Sequence, residues 1–503
     1  MKKEFLTDTL VLLIAFTYCT IFWKEKMGLN SLIFAVLMTG SLVAHYEVKR
    51  KAYFWLTAFG TIITAAMIVI HNSLVSKIIH LCSMVTMIGF AQQRMFRFVW
   101  YAFLLGIYSM LETPKKFVRQ FNENFGTALR PVVLQRNLQL SIAPVFLLGL
   151  FYMIYYHANG KFAELSDHFW MNLWSTIVEY FPLQRLLLFA IGGLIAGGAL
   201  WKSKWAFLER QEEESEENLI RYPMKKHFIK FKILDLKKEY QQGFRALFIL
   251  NLLLFIVNCI DVRYVWFGFE VGSAQEMKQY VHEGTYLLIV AILLAMAVLL
   301  IVFRGKINFF SKNLLIKRLA YTWIVQNAIL ALSVAIRNYR YIEHYNLAYK
   351  RIGVFIFLSL VFIGLLTFFL KIRDRKTTYY LLHRNAIAAY CIWMIVCCVN
   401  WDVFITRYNL AHAENGIDTN FLINKVSTKN LFLIEDQTTL LAEKDIYYTD
   451  RNLTDDIERT IEAQIQRKRA KFESNTEQYG WLSWNYSDWK NRRNIESRTR
   501  NLE

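Results

Sequence analysis

Residues 352–370 form an apolar run whose only polar side chains are Ser359 and Thr367. An α-helix rises ~1.5 Å per residue, so about 20 such residues cross the ~30 Å hydrocarbon core of a bilayer. Inside hydrocarbon every peptide N–H and C=O must find its partner within the protein, which a helix does locally and an open strand cannot. Residues 286–303 repeat the pattern with one tyrosine hydroxyl as the only polar side-chain group. Comparable runs recur down a chain that is 55% hydrophobic, counted without glycine, and that has only 5 prolines. Soluble domains reach about 45–50% apolar residues even with glycine included. The sequence therefore predicts an all-α, polytopic transmembrane helix bundle.

Candidate spans lie at 6–23, 29–45, 53–70, 74–91, 98–111, 138–156, 183–201, 244–260, 286–303, 319–336, 352–370 and 386–401. The fourth and fifth are the weakest, because Gln92, Gln93, Arg94 and Arg97 crowd the connection between them. One of the two is expected to be re-entrant or interfacial, giving 11–12 spans. The expected division is an N-terminal membrane region at 1–242, a C-terminal membrane region at 243–403 and a small soluble helical domain at 404–503. In that tail Leu453, Ile457, Ile461 and Ile465 recur every fourth residue, the mark of an amphipathic helix. Trp481, Trp484, Tyr486 and Trp489 offer aromatic anchors near its end.

The formal net charge is +19. The tail is nearly neutral, so the basic excess belongs to the membrane region. The loops at 202–242, 304–318 and 371–384 carry ten, five and five Lys/Arg, against two and four at 261–285 and 337–351. Basic charge between membrane helices marks cytoplasmic loops and anionic lipid, which sets nucleic-acid binding aside. The expected surroundings are the bilayer, with a protein partner possible at the tail or at the charge-segregated linker 202–242. There Glu212, Glu213, Glu214, Glu216 and Glu217 precede Lys225, Lys226, Lys230 and Lys232.

No phosphate-cradling loop, nucleophile elbow, HExxH pair or dinucleotide fingerprint is present. The six cysteines fall inside candidate spans without ligand spacing, so small apolar packing is expected of all six, and no metal or cofactor is implied. Gly192, Gly193, Ala196 and Gly197 suggest a close helix–helix contact. Polar residues within spans are costly and therefore informative. Asn251 and Asn258 lie two turns apart on one face with Asp261 beyond, and Gln326, Ser333 and Arg337 share another face. Interhelical hydrogen bonding is the plain expectation for these stripes; a substrate or ion path is the sharper one.

The segments Glu276-Met-Lys-Gln-Tyr280-Val-His282-Glu283-Gly284, Asn338-Tyr-Arg340-Tyr-Ile-Glu343 through Lys350-Arg351, and Asn400-Trp-Asp402 through Arg407-Tyr408-Asn409 resemble a bacterial membrane-protein family. It is the domain-of-unknown-function family numbered forty-one seventy-three, with its relative forty-one fifty-three. The resemblance covers about 245–425 and reaches the N-terminal half only through hydropathy. It implies a bacterial cytoplasmic-membrane protein and brings no activity. Helix parity puts these three segments on one side of the membrane. Asp261, Glu283, Arg340, Arg351, Asp402 and Arg407 are accordingly a candidate juxtamembrane cluster for docking the tail or a ligand.

The functional expectation is a non-enzymatic sensor, regulator or assembly partner, with a transporter as the alternative. The charge asymmetry predicts basic loops in the cytoplasm and the tail outside it. In a background freed of native cysteines, a cysteine introduced near Lys232 should label only from the cytoplasmic side and one near Asn475 only from the other. Labelling of both from the cytoplasm would refute this topology.

Overall fold

The computed structural model describes residues 2–48, 51–124, 131–180, 182–220, 229–267, 274–304, 306–310, 312–446 and 454–502. Its helices in order are α1 (Lys2–Phe22), α2 (Leu29–His45), α3 (Ala52–His71), α4 (Leu74–Gln92) and α5 (Val99–Asn124). There follow α6 (Pro131–Ala158), α7 (Gly160–Tyr180), α8 (Leu183–Leu200), α9 (Ala206–Glu213) and α10 (Ile229–Asp261), the last running into a π-helical turn at Val262–Phe267. Next come α11 (Ala274–Val302), α12 (Leu314–Tyr345), α13 (Tyr349–Arg373) and α14 (Thr378–Cys397). The tail contains α15 (Trp401–Ala411), α16 (Leu431–Ile434), α17 (Thr438–Glu443), α18 (Thr454–Glu477) and α19 (Tyr486–Leu502). Among the described residues there is no strand, only the isolated β-bridges Asn218 with Lys376 and Ile417 with Asp445.

Among the described residues, seven helices are long and apolar enough to cross a bilayer: α3, α4, α8, α10 with its π turn, α12, α13 and α14. Shorter apolar stretches of 10–17 residues lie in α1, α2, α6 and α11. This is an all-helical, multi-pass membrane protein. The 32-residue α12 is about 48 Å long at ~1.5 Å per residue, so it projects beyond the ~30 Å hydrocarbon core.

The fifth sequence-derived span, in α5, falls in neither group, and the helix packs against both α4 and α8. The first half of α5 lies on the C-terminal half of α4, where a Cβ on Gly89 would overlap the Ala102 carbonyl and one on Gly106 that of Val85. Its second half lies on the C-terminal half of α8, with Gly198 against Met110 and the Thr113 hydroxyl donating to Leu194 O at 3.4 Å. Just before α5, Arg97 bonds Glu212 and Ser215 O; further along the helix, Lys116 Nζ donates to Trp201 O at 3.1 Å and Lys202 O at 3.2 Å. Glu112 and Lys116 pair at 3.2 Å, and this charged stretch ends the apolar run of α5.

Three buried clusters organise the rest. One joins α1–α5, α8 and α9, and takes Tyr390 from α14. A second joins α10–α14 around Phe303, Trp323 and Phe368. The third is the tail core, in which Ile461, Ile465 and Phe472 of α18 pack on Leu422, Leu431 and Ile434. Leu453 lies outside the described residues and Ile457 outside the described side chains. The glycines of α8 divide differently from the sequence pattern: Gly192 meets α1 at Ala15 and Tyr18, Gly197 meets Thr113, and Gly193 looks onto open space. Helical spacing alone does not say which side has a neighbour. Only Cys19 and Cys397 are buried; Cys82, Cys259, Cys391 and Cys398 sit on exposed helix surfaces, so small apolar packing fails for those four.

The basic loops gather at one end of the helices. Leu219 N donates to Arg375 O at 2.9 Å and Thr377 N to Glu217 O at 3.0 Å. The acidic half of the linker is therefore bound intramolecularly: buried Glu212 accepts from Arg97 and from Tyr379 Oη at 2.6 Å, and Glu217 faces His383 and Arg384. Lys225 and Lys226 lie outside the described residues, and the side chains of Lys230 and Lys232 are likewise not described. The tail packs on the opposite helix ends.

Candidate functional site at the tail-docking face

Two polar groups stand out, one running along the membrane helices towards the tail and one at the tail itself. The first is the ladder between α10 and α12. Asn251 Nδ2 donates to Leu319 O at 3.1 Å, and its Oδ1 accepts from Gln326 Nε2 at 3.1 Å. One step on, Asn258 Nδ2 donates to Gln326 O at 3.0 Å. The ladder ends in a buried ion pair, Arg337 Nη2 with Asp261 Oδ1, beside Trp266 Nε1 donating to Ser333 Oγ at 2.9 Å. Asn251, Asn258 and Gln326 thus point into the bundle. Burying such groups costs free energy unless they are paired, and these pairings offset that cost. Asn327 instead donates to Trp323 O of its own helix at 2.8 Å.

The second group is the tail joint. Asn400 begins α15 by accepting from Val403 N at 3.3 Å, a side-chain N-cap that fixes the helix start one residue before Trp401. This places Asp402 under the tail core, where its two oxygens accept from Tyr349 Oη and Ser427 Oγ. Asn409 clamps Leu347 from both sides, accepting from its N–H at 2.8 Å and donating to its carbonyl at 3.1 Å. Lys429 Nζ reaches the Asn72 carbonyl in the α3–α4 turn. Lys468 Nζ donates to Leu422 O and Val426 O, both at 3.1 Å, and to Asn430 Oδ1 at 2.7 Å, so each of its three N–H groups has an acceptor. Asn430 in turn donates to Thr406 Oγ1 at 3.0 Å.

Burial pushes the Lys468 ammonium down to about 7 and the Lys429 ammonium down to about 8, with the Asp402 carboxylate opposing both shifts. Lys77 adds to the lowering at Lys429, and Asp488 works against it.

The sequence-derived cluster residues are linked in pairs. Asp261 meets Arg337. Arg351 bonds Tyr345 O and lies over the Tyr341 ring, 4.4 Å from its centroid, while its carbonyl accepts from Asn338 Nδ2 at 3.0 Å. Arg340 pairs locally with Glu343 at 3.2 Å on a half-exposed surface. Arg407 is exposed on α15. Glu283 is in α11, with its side chain outside the described ones. Tyr349, Ser427, Lys429, Asn430 and Lys468 were not singled out by sequence. Lys468 was the legible one, since it falls between Ile465 and Phe472 on the apolar stripe of α18, where a lysine is either paired or misplaced.

A further buried network was also missed. Ser83 Oγ lies 3.0 Å from Thr61 Oγ1 and 2.7 Å from Tyr390 Oη, and His80 Nδ1 lies 3.2 Å from Thr64 Oγ1. The Thr57, Thr61, Thr64 and Ser76, His80, Ser83 stripes at helical spacing carried the signal.

Among the described residues no group of three His, Cys, Asp or Glu side chains is arranged to hold a metal ion. The fold and this joint define a multi-pass helical membrane protein with a docked helical tail. Residues 32–437 match the family described as Domain of unknown function (DUF4153), and the chain belongs to that family. This is the relative named beside forty-one seventy-three, and the match extends through most of the N-terminal half as well. No curated protein and no solved structure matches the chain. The matched region includes Asp402, Ser427, Lys429 and Asn430 but ends before Lys468.

Both lysines hold fewer protons when buried than when released, because their docked values lie below the ordinary 10.5. The docked state therefore gains stability as pH rises from about 7 towards 10.5. The tail's melting temperature should climb across that window. Lys468→Met should flatten the lower part of the climb and also destabilise the tail by roughly 1–3 kcal/mol, through the acceptors it strands. A melting temperature independent of pH in the unaltered protein would contradict the burial of both ammonium groups.

Proposed function

We propose that this protein is a non-enzymatic membrane component, a sensor, regulator or assembly partner, in which the tail and the membrane bundle change state together. The observation carrying this reading is the joint itself: Lys429 bonds the α3–α4 turn, while Asp402 bonds both Tyr349 of α13 and Ser427 of the tail. A buried polar cluster of this kind is strong when complete and costly when broken, so disturbance at one member is felt by all. The reading includes a division near 242 and 403, a bacterial inner-membrane location with the basic loops in the cytoplasm, and an extracytoplasmic tail free to meet a protein partner. On this reading Asp261, Glu283, Arg340, Arg351 and Arg407 gather at the same face and support that docking.

Lys429→Met in the full chain tests the coupling by hydrogen exchange. Faster exchange is expected at 421–434 and also at 72–76 and 346–352. A change confined to 427–431 would count against coupled states.

The transporter reading rests on a separate observation. Asn258 Oδ1 and Gln326 Oε1 are buried on the α10–α12 face and accept no hydrogen bond from the described residues. Two such oxygens suit a cation or a polar substrate group. If they bind an alkali cation, sodium or potassium should raise the melting temperature of the wild type and not of Asn258→Leu. Equal response to salt in both would dismiss this reading.

A further inference from the structure

At the basic face, opposite the tail, the ends of α2, α3 and α4 enclose a cavity of about 940 Å³. Its walls are aromatic and apolar, with Phe54, Phe90 and Phe96 buried and Tyr53 stacked on Phe90 at 5.7 Å between centroids. Its rim is cationic: among the described residues, Lys51, Arg94 and Arg97 line it against one carboxylate, Glu47. The three cations are not equally engaged. Arg97 is neutralised by buried Glu212 at 3.2 Å. Lys51 donates to Ala91 O at 2.9 Å and Phe90 O at 3.4 Å, closing the C-terminal carbonyls of α4 that would otherwise repel an anion. Burial lowers the Lys51 ammonium, and Lys202 and Arg94 lower it further, so like charges accumulate here. Arg94 is exposed at the rim. The α3 face that lines the cavity at Ala52 continues outward through Trp55 and Phe59, which are 44% and 64% exposed on the membrane-facing surface.

A cationic rim over an aromatic pocket, continuous with an apolar track along a spanning helix, matches one kind of molecule. We propose that this cavity binds an anionic phospholipid of the adjoining leaflet, the phosphate at Arg94 and Lys51 and an acyl chain along Trp55 and Phe59. A free phosphate ester shares the headgroup chemistry and lacks the chain. Basic residues at a lipid surface attract anionic headgroups, and aromatic side chains at that depth anchor to the same boundary.

The test uses the purified full chain in neutral detergent with fluorescent phosphatidylglycerol as the probe. Unlabelled phosphatidylglycerol should displace it, and phosphatidylcholine and inorganic phosphate should not. Arg94→Glu should weaken binding by roughly tenfold or more, and Arg94→Lys should restore most of it. Lys204→Glu, an equal charge change on an exposed residue that does not line the cavity, should leave it nearly unaltered. Equal weakening by Arg94→Glu and Lys204→Glu would reduce the effect to diffuse surface charge and overturn the site. Displacement by inorganic phosphate as effective as by phosphatidylglycerol would overturn the lipid assignment in favour of a soluble phosphate ester. Arg94 is exposed and touches no core, so loss of folding does not confound the comparison; Tyr53→Ala, which opens the aromatic wall without altering charge, should weaken the lipid probe and not a phosphate one.

Discussion

Arg97, just before α5, and Lys116, within it, both bond the segment that follows α8, so this stretch of α5 begins and ends at the basic end of the bundle. The N-terminal loops at 46–51 and 93–98 then share a face with the basic loops of the second half. Asp8 accepting from Trp201 Nε1 at 2.9 Å places the start of α1 at that face as well. The reason is local. α5 carries Glu112, Lys115 and Lys116 directly after the apolar stretch 98–111, which at ~1.5 Å per residue is about 21 Å long, short of the ~30 Å hydrocarbon core.

The two faces have different chemistry. One face gathers arginine and lysine, Glu212 neutralising Arg97 and the cavity beside them lined by aromatic rings. The other carries the tail, joined by carbonyl acceptors, amides and two buried lysines. Hydrocarbon between the faces is crossed by helices whose polar side chains meet each other, as Asn251 meets Gln326. The membrane region is thus not a uniform apolar slab: polar contacts select which helices are neighbours, while apolar packing supplies most of the buried area.

Burial of Lys429 and Lys468 at the joint has two consequences. Removing an ammonium from water is costly, so each is held by oxygen acceptors: the Leu422 and Val426 carbonyls and Asn430 Oδ1 for Lys468, and the Asn72 carbonyl for Lys429. The π-helical turn at Phe421–Lys425 and the Ser427–Asn430 turn owe their backbone pairing in part to Lys468. The same contacts make the joint responsive to protonation near neutrality, whatever the tail meets in the cell.

The residues themselves determined the class of protein, the places of the seven long apolar helices, the inward stripe of Asn251, Asn258 and Gln326, and the packed stripe of Ile461 and Ile465. Each follows from a rule that acts over one or two turns: hydrocarbon demands helices, and one buried side demands spacing by three or four. Tertiary structure alone decided which distant partners meet. Lys429 finds a carbonyl 357 residues away, and Tyr390 finds Ser83 across 307. Hydropathy records that a side chain leaves water, but not whether lipid or another helix receives it. That is why Gly193 and four of the cysteines face outward despite their spacing, and why α5 read as a span. Choice of neighbour is a property of the assembled bundle, set by how surfaces far apart in the chain fit together.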